Sequence, residues 1–127
     1  MWYLDTSAFL KLIVIEDESE AMRAWFSTHT PVWSSQLLFT EALRGAAKLG
    51  IDRDLVIDAL ESVSLVLPSV ETFYSAGELE PTELRSLDAL HLATAIEMGA
   101  DLTALVTYDE RLAAASRTAG VHVVMPA

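Results

Sequence analysis

Four acids stand where a side chain could do chemistry. Asp5 directly follows the apolar run Trp2-Tyr3-Leu4, Glu41 lies inside a helical pattern, Asp88 heads an apolar stretch, and Asp109 comes just after an apolar run over residues 102–106. Carboxylate oxygens are hard donors, and gathered without Cys or His they suit a divalent cation such as Mg2+ or Mn2+. Such an ion would bring positive charge to a phosphate in a chain whose own net charge is −11. Each acid also has a purely local reading. Asp5, Asp88 and Asp109 occupy N-cap or first-turn positions, where an acid stabilises a helix by about 1 kcal/mol. Glu41 is spaced to pair with Arg44 at i, i+3. His91, one turn after Asp88, reads as a hydrogen-bonded buried histidine, and His29 and His122 receive no role. Whether the acids form a site depends on the elements that carry them.

Trp2, Tyr3 and Leu4 are β-formers and predict a first strand. Asp5, Thr6 and Ser7 offer caps for a helix over 6–14. The acidic run 16–20 predicts the start of a second helix, since acids complement the positive end of its dipole. Residues 32–34 predict a short strand, and Ser35 caps a long helix that stops at Gly50. Phe39, Ala42, Leu43 and Ala46 form that helix's apolar stripe, leaving Glu41, Arg44, Gly45 and Lys48 on another face. Asp52 caps a further helix; residues 64–67 predict a strand, 69–79 a helix, and 80–83 a polar break. Residues 84–99 are apolar nearly all round and so predict a buried helix. The charge on Asp88 therefore needs a compensating partner. A strand over 102–106, a helix over 110–119 stopped by Gly120, and a strand over 121–124 complete the chain.

Short, continuously apolar strands alternating with helices predict a parallel sheet covered on both faces, a single three-layer α/β/α domain over residues 1–127. Ligands of such sheets bind beyond the C-terminal strand ends. A switch point between the first and fourth strands would put Asp5 and Asp109 in one crevice.

Hydrophobic residues make up 52% of the chain, and the mean hydropathy is +0.34. That is more apolar surface than one small domain needs, so an interface with a second copy or a partner is expected. Nineteen acids against eight Lys and Arg argue against a broad basic face for nucleic acid. With no cysteine there is no disulfide framework, thiolate nucleophile or Cys-based zinc site. No transmembrane candidate or secretory signal is evident, and the expected location is the cytoplasm.

The segments Asp5-Thr6-Ser7-Ala8, Thr40-Glu41-Ala42-Leu43-Arg44, Arg85-Ser86-Leu87-Asp88-Ala89-Leu90-His91-Leu92-Ala93-Thr94-Ala95 and Val106-Thr107-Tyr108-Asp109-Glu110-Arg111-Leu112 resemble the PIN-domain ribonucleases. Within these the likeness is to VapC-type toxins of bacterial toxin–antitoxin pairs. It is collinear over almost the whole chain, and the stretch from Asp88 to Ala95 is its most specific part. The resemblance implies a five-stranded parallel sheet in the order 3-2-1-4-5. It implies that Asp5, Glu41, Asp88 and Asp109 form an acidic quartet for Mg2+ or Mn2+, with Asp5 and Asp88 as direct ligands and Thr107 as a polar residue of the same site. It further implies a homodimer acting on RNA and blocked by a VapB-like antitoxin. Such an endoribonuclease would use a metal-activated water and leave 5′-phosphate and 3′-hydroxyl ends. Arg44, Arg85 and Lys11 are candidates for holding the RNA backbone. Gly45 departs from a good helix sequence at a cost of about 1 kcal/mol relative to Ala, which close packing would explain.

Three other readings compete. A haloacid-dehalogenase-like phosphatase needs a second Asp two residues after Asp5, where this chain has Ser7. A non-catalytic, Mg2+-binding receiver-like domain needs an acidic pair near the first strand and a Lys after a late one, where Thr107-Tyr108-Asp109 stands. A PIN nuclease of RNA processing, outside any toxin pair, would lack a small neighbouring gene for a DNA-binding partner.

Overall fold

In the computed structural model, which describes residues 1–127, β1 (Trp2–Leu4) is the central strand of a five-stranded sheet. β2 (Val32–Ser35) pairs with it on one side, with β3 (Ser64–Val66) beyond. β4 (Ala104–Val106) pairs on the other side, with β5 (Val123–Val124) at that edge. Every pairing is parallel and the order is β3-β2-β1-β4-β5, as expected. The register sets Leu4 beside Val106. The Asp5 amide then donates to the Val106 carbonyl at 3.2 Å, so Asp5 and Thr107 leave the sheet side by side.

Seven helices cover the sheet: α1 (Thr6–Leu10), α2 (Ser19–Thr28), α3 (Leu37–Lys48), α4 (Arg53–Leu60), α5 (Val70–Gly77), α6 (Ser86–Glu97) and α7 (Glu110–Thr118). Successive strand residues point to opposite faces, and the core divides accordingly. Leu4 and Val106 pack with Phe9, Met22, Leu38 and Val56 from α1 to α4. Tyr3 and Leu105 pack with Leu92 and Leu112 from α6 and α7. Both faces are apolar, which is why the strands read as unbroken apolar runs. The run Ala89–Ala95 of α6 is buried throughout, its two polar members His91 and Thr94 included.

Several element ends differ from expectation. α1 stops at Leu10, and the amides of Lys11, Leu12 and Ile13 bond three residues back instead of four. The β-branched run Ile13-Val14-Ile15 disfavours a longer helix. The acidic segment 16–18 does not enter α2. Glu18 takes a left-handed conformation (φ 63°) and α2 begins at Ser19, because Lys11 draws Glu16 and Glu18 back onto itself. The caps Asp52 and Ser69 form as read. Gly50 turns left-handed (φ 71°) just past α3. A Cβ on Gly45 would meet only the Leu10 side chain, at 3.4 Å, an ordinary van der Waals contact, so close packing of α3 on α1 does not require the glycine. No helix is long and apolar enough to cross a membrane.

Candidate active site

The site is built around Asp5, only 3% exposed at the C-terminal end of β1. Its Oδ1 caps α1 by accepting from the Ala8 amide at 3.0 Å. Ser7 Oγ donates to both carboxylate oxygens, at 2.7 and 2.9 Å, and Thr107 Oγ1 donates to Oδ2 at 2.6 Å. The two hydroxyls are themselves aimed from the start of α7. Ser7 Oγ accepts from the Tyr108 amide at 2.9 Å and Thr107 Oγ1 from the Asp109 amide at 3.0 Å. Two short relays therefore fasten the end of β4 to the carboxylate at the end of β1. Burial pushes the Asp5 carboxyl above the usual carboxylate range, against the pull of Thr107, Ala8 and Ser7.

Asp109 does two jobs. Its Oδ1 caps α7 through the Arg111 and Leu112 amides at 2.9 and 3.1 Å, while Oδ2 faces Arg85 at 3.6 Å. Arg85 also stands 3.6 Å from Oδ2 of Asp88, so one guanidinium bridges two acids. It is the compensating partner that Asp88 needs, although at 73% exposed it is held loosely. Both separations exceed those of tight charged hydrogen bonds, about 2.7–2.9 Å. Asp88 is not a cap. Partial burial, then the charge of Asp109, push its carboxyl above the usual range, with Arg85 opposing.

Glu41 does not pair with Arg44. His91 Nε2 lies 2.7 Å from its Oε1, across from α6 to α3. Its charge is felt at Asp88. Glu41, Asp88 and Asp109 keep 21%, 20% and 23% of their side chains exposed, so each can meet a ligand from solvent. Arg44 is exposed on α3. Lys11 has other work: its ammonium, 14% exposed, pairs with Glu16 at 3.3 Å and Glu18 at 3.0 Å, and sits 5.2 Å from the centre of the Tyr108 ring. Burial works against its charge, but the bonds from Glu18 and Glu16 outweigh that and hold its pKa above the ordinary value.

The fold thus draws Asp5, Glu41, Asp88, Asp109, Thr107 and Arg85 to one edge of the sheet. Ser7, read from sequence only as a cap, is the residue missed; its place two positions after a strand-end Asp is the signal that marks it. The donors are all oxygen, as a hard divalent ion requires. At Asp5 the Ser7 hydroxyl spans both oxygens while Ala8 and Thr107 take one each, so each oxygen already carries two contacts and a cation would share one with the donors present. The residues fit such an ion, yet no three acids or histidines stand close enough to form a finished ligand set. A cavity of about 710 Å3 lies along α7, between Leu84 and Ala114, and none of the four acids lines it.

A model of the PIN domain family matches residues 2–118. The chain is 42% identical over 125 residues to Ribonuclease VapC46 of Mycobacterium tuberculosis (strain ATCC 25618 / H37Rv), covering 98% of this chain and 96% of that one. It is 40% identical over 136 residues to Ribonuclease VapC35 of the same strain, at 99% and 97% coverage. Among solved structures it resembles Mycobacterium tuberculosis VapC20, described as a sarcin-ricin loop cleaving toxin, with TM-score 0.80, 18% identity and 99% and 100% coverage. It also resembles a chain of a toxin–antitoxin complex from Klebsiella pneumoniae, with TM-score 0.76, 22% identity and 100% and 98% coverage. These two likenesses concern the fold alone.

Proposed function

Because the chain belongs to the PIN-domain family, as a VapC-type member, we propose that it is a divalent-metal-dependent endoribonuclease and the toxin of a toxin–antitoxin pair. The observation that carries this reading is the buried Asp5 carboxylate, fastened to the end of β4 by Ser7 and Thr107, at the strand-end edge that also carries Glu41, Asp88 and Asp109 as an all-oxygen donor set. Asp5 and Asp88 would hold Mg2+ or Mn2+ directly, with Glu41 and Asp109 completing the acidic quartet. When bound, the ion would supply Lewis-acid charge and lower the pKa of an attacking water. Thr107 and Ser7 favour the ionised form of Asp5 against its burial and aim it. Arg85, exposed above Asp88 and Asp109, is free to turn from the acids to a substrate phosphate as they close on the cation, and exposed Arg44 is a second backbone contact. Lys11 is left out, since Glu16 and Glu18 already answer its charge.

In-line attack by water leaves a 5′-phosphate and a 3′-hydroxyl, whereas metal-free ribonucleases that pair general acid and base make the 2′-hydroxyl attack and leave cyclic ends. Purified protein incubated with total RNA should cut only with Mg2+ or Mn2+, stop with EDTA, and yield 5′-phosphates. Cyclic ends, or cutting that survives EDTA, would refute the metal mechanism. Expression should arrest growth, and co-expression of the adjacent small gene should relieve it. Harmless expression of active enzyme would favour a PIN nuclease outside any toxin pair. The antitoxin should carry a basic segment that complements the −11 charge, so association should be fast and salt-sensitive. A second copy would cover the apolar side chains left exposed from the end of β3 along α5: Leu67, Val70, Phe73 and Tyr74.

A further inference from the structure

His91 is buried on α6 with both ring nitrogens engaged. Nδ1 lies 2.7 Å from the Tyr3 hydroxyl, and Nε2 lies 2.7 Å from Glu41 Oε1; Thr6 Oγ1 is a weaker neighbour of Nε2 at 3.5 Å. The direction of these bonds follows from chemistry. A carboxylate can only accept, so Nε2 carries a hydrogen; when the ring is neutral, Nδ1 is an acceptor and the phenol donates to it. The Tyr3 phenol is fully buried in β1 and burial keeps it protonated. A chain of hydrogen bonds therefore runs from β1 through α6 to α3 and ends with Nε2–H donating to Glu41. Without it Glu41, a flexible and partly exposed side chain, could swing to solvent or to Arg44 one turn away. With it Oε1 is fixed and Oε2 remains for another partner, close enough to Asp88 for the two charges to interact.

We propose that His91, held between the Tyr3 hydroxyl and Glu41, is a positioning residue that holds Glu41 ready as a cation ligand at the crevice of Asp5, Asp88 and Asp109. This rests on the metal-dependent reading above. Groups that hydrogen-bond metal ligands fix their orientation, and losing one weakens metal binding about 10–100-fold. The test is calorimetric titration of Mn2+ into the wild-type protein, His91→Phe, His91→Gln and Tyr3→Phe, with urea unfolding in EDTA to verify folding. His91→Phe should bind Mn2+ at least tenfold more weakly. His91→Gln, whose amide nitrogen can take the place of Nε2, should recover most of the affinity. Tyr3→Phe should weaken binding in the same direction by a smaller factor. A folded His91→Phe protein with wild-type Mn2+ affinity overturns the inference, as does a Gln variant no better than Phe. If His91→Phe does not fold, unchanged affinity in Tyr3→Phe overturns it instead. Wild-type protein that takes up no Mn2+ overturns the metal-dependent reading itself, a result distinct from the others.

Discussion

Replacing Ser7 with Ala removes one hydroxyl and breaks two functions at once. Asp5 loses a donor shared between its two oxygens at 2.7 and 2.9 Å, and the Tyr108 amide loses its acceptor at 2.9 Å. A hydrogen bond to a charged group contributes about 1.5–3 kcal/mol, and an orphaned buried amide costs about 1–3 kcal/mol. Ser7 is partly exposed, so water can relieve some of this, and the loss expected is about 3 kcal/mol. For a chain of this length that lowers Tm by about 10 °C. The deficit should also depend on pH. The Ser7 hydroxyl favours the charged form of Asp5, so its loss lifts a pKa that burial already raises. The folded state then keeps a proton that the unfolded chain releases from about pH 4 upward, and stability falls as pH climbs from there through the folded-state value. Urea unfolding in EDTA from pH 4 to 8 should show the smallest mutant deficit at the acid end and a larger one as pH rises. A cost under about 0.5 kcal/mol, where ordinary surface substitutions fall, or a deficit that ignores pH, would refute the idea that this hydroxyl holds Asp5.

The remaining predictions use the same measurements. Asp88→Asn removes a charge that burial and Asp109 both disfavour, so in EDTA at pH 7 it should fold at least as stably as wild type; marked destabilisation would make Asp88 a structural residue. The same variant should flatten the decline in stability above about pH 4 that a raised carboxyl pKa imposes on the metal-free protein, and equal slopes would contradict the shift. Mn2+ at a hundredfold excess over Kd should stabilise the wild-type fold by about 2.7 kcal/mol and Asp5→Ala by much less, read as shifts in urea midpoint. Phe73→Glu, on the exposed face of α5, should give a monomer by light scattering with Tm little changed; an unaltered mass would move the interface elsewhere.

Local chemistry made much of the fold legible in advance. Asp52 and Ser69 cap their helices because a side-chain oxygen needs only an amide two or three residues away. Gly50 ends α3 because it adopts a positive φ that other residues resist. The strands were legible because burial on both faces leaves their residues no polar side to alternate with. The acids at the ends of β1 and β4 followed from the same reading, and the sheet order came from the family resemblance. Local signals failed where a distant partner changed the outcome, as when Lys11 pulled residues 16–18 out of the start of α2. They also could not show that Asp109 both caps α7 and faces Arg85, since one carboxylate has two oxygens and a sequence does not say where the second points. The bonds that shape the site join residues far apart in the chain: Ser7 to the Tyr108 amide and Thr107 to Asp5 between β1 and the end of β4, His91 to Glu41 between α6 and α3, and Tyr3 to His91 between β1 and α6. Spacing along the chain encodes which face of a helix or strand a residue takes. Which faces meet depends on how the layers pack, and hydrogen-bond directions need that packing to within a few tenths of an ångström.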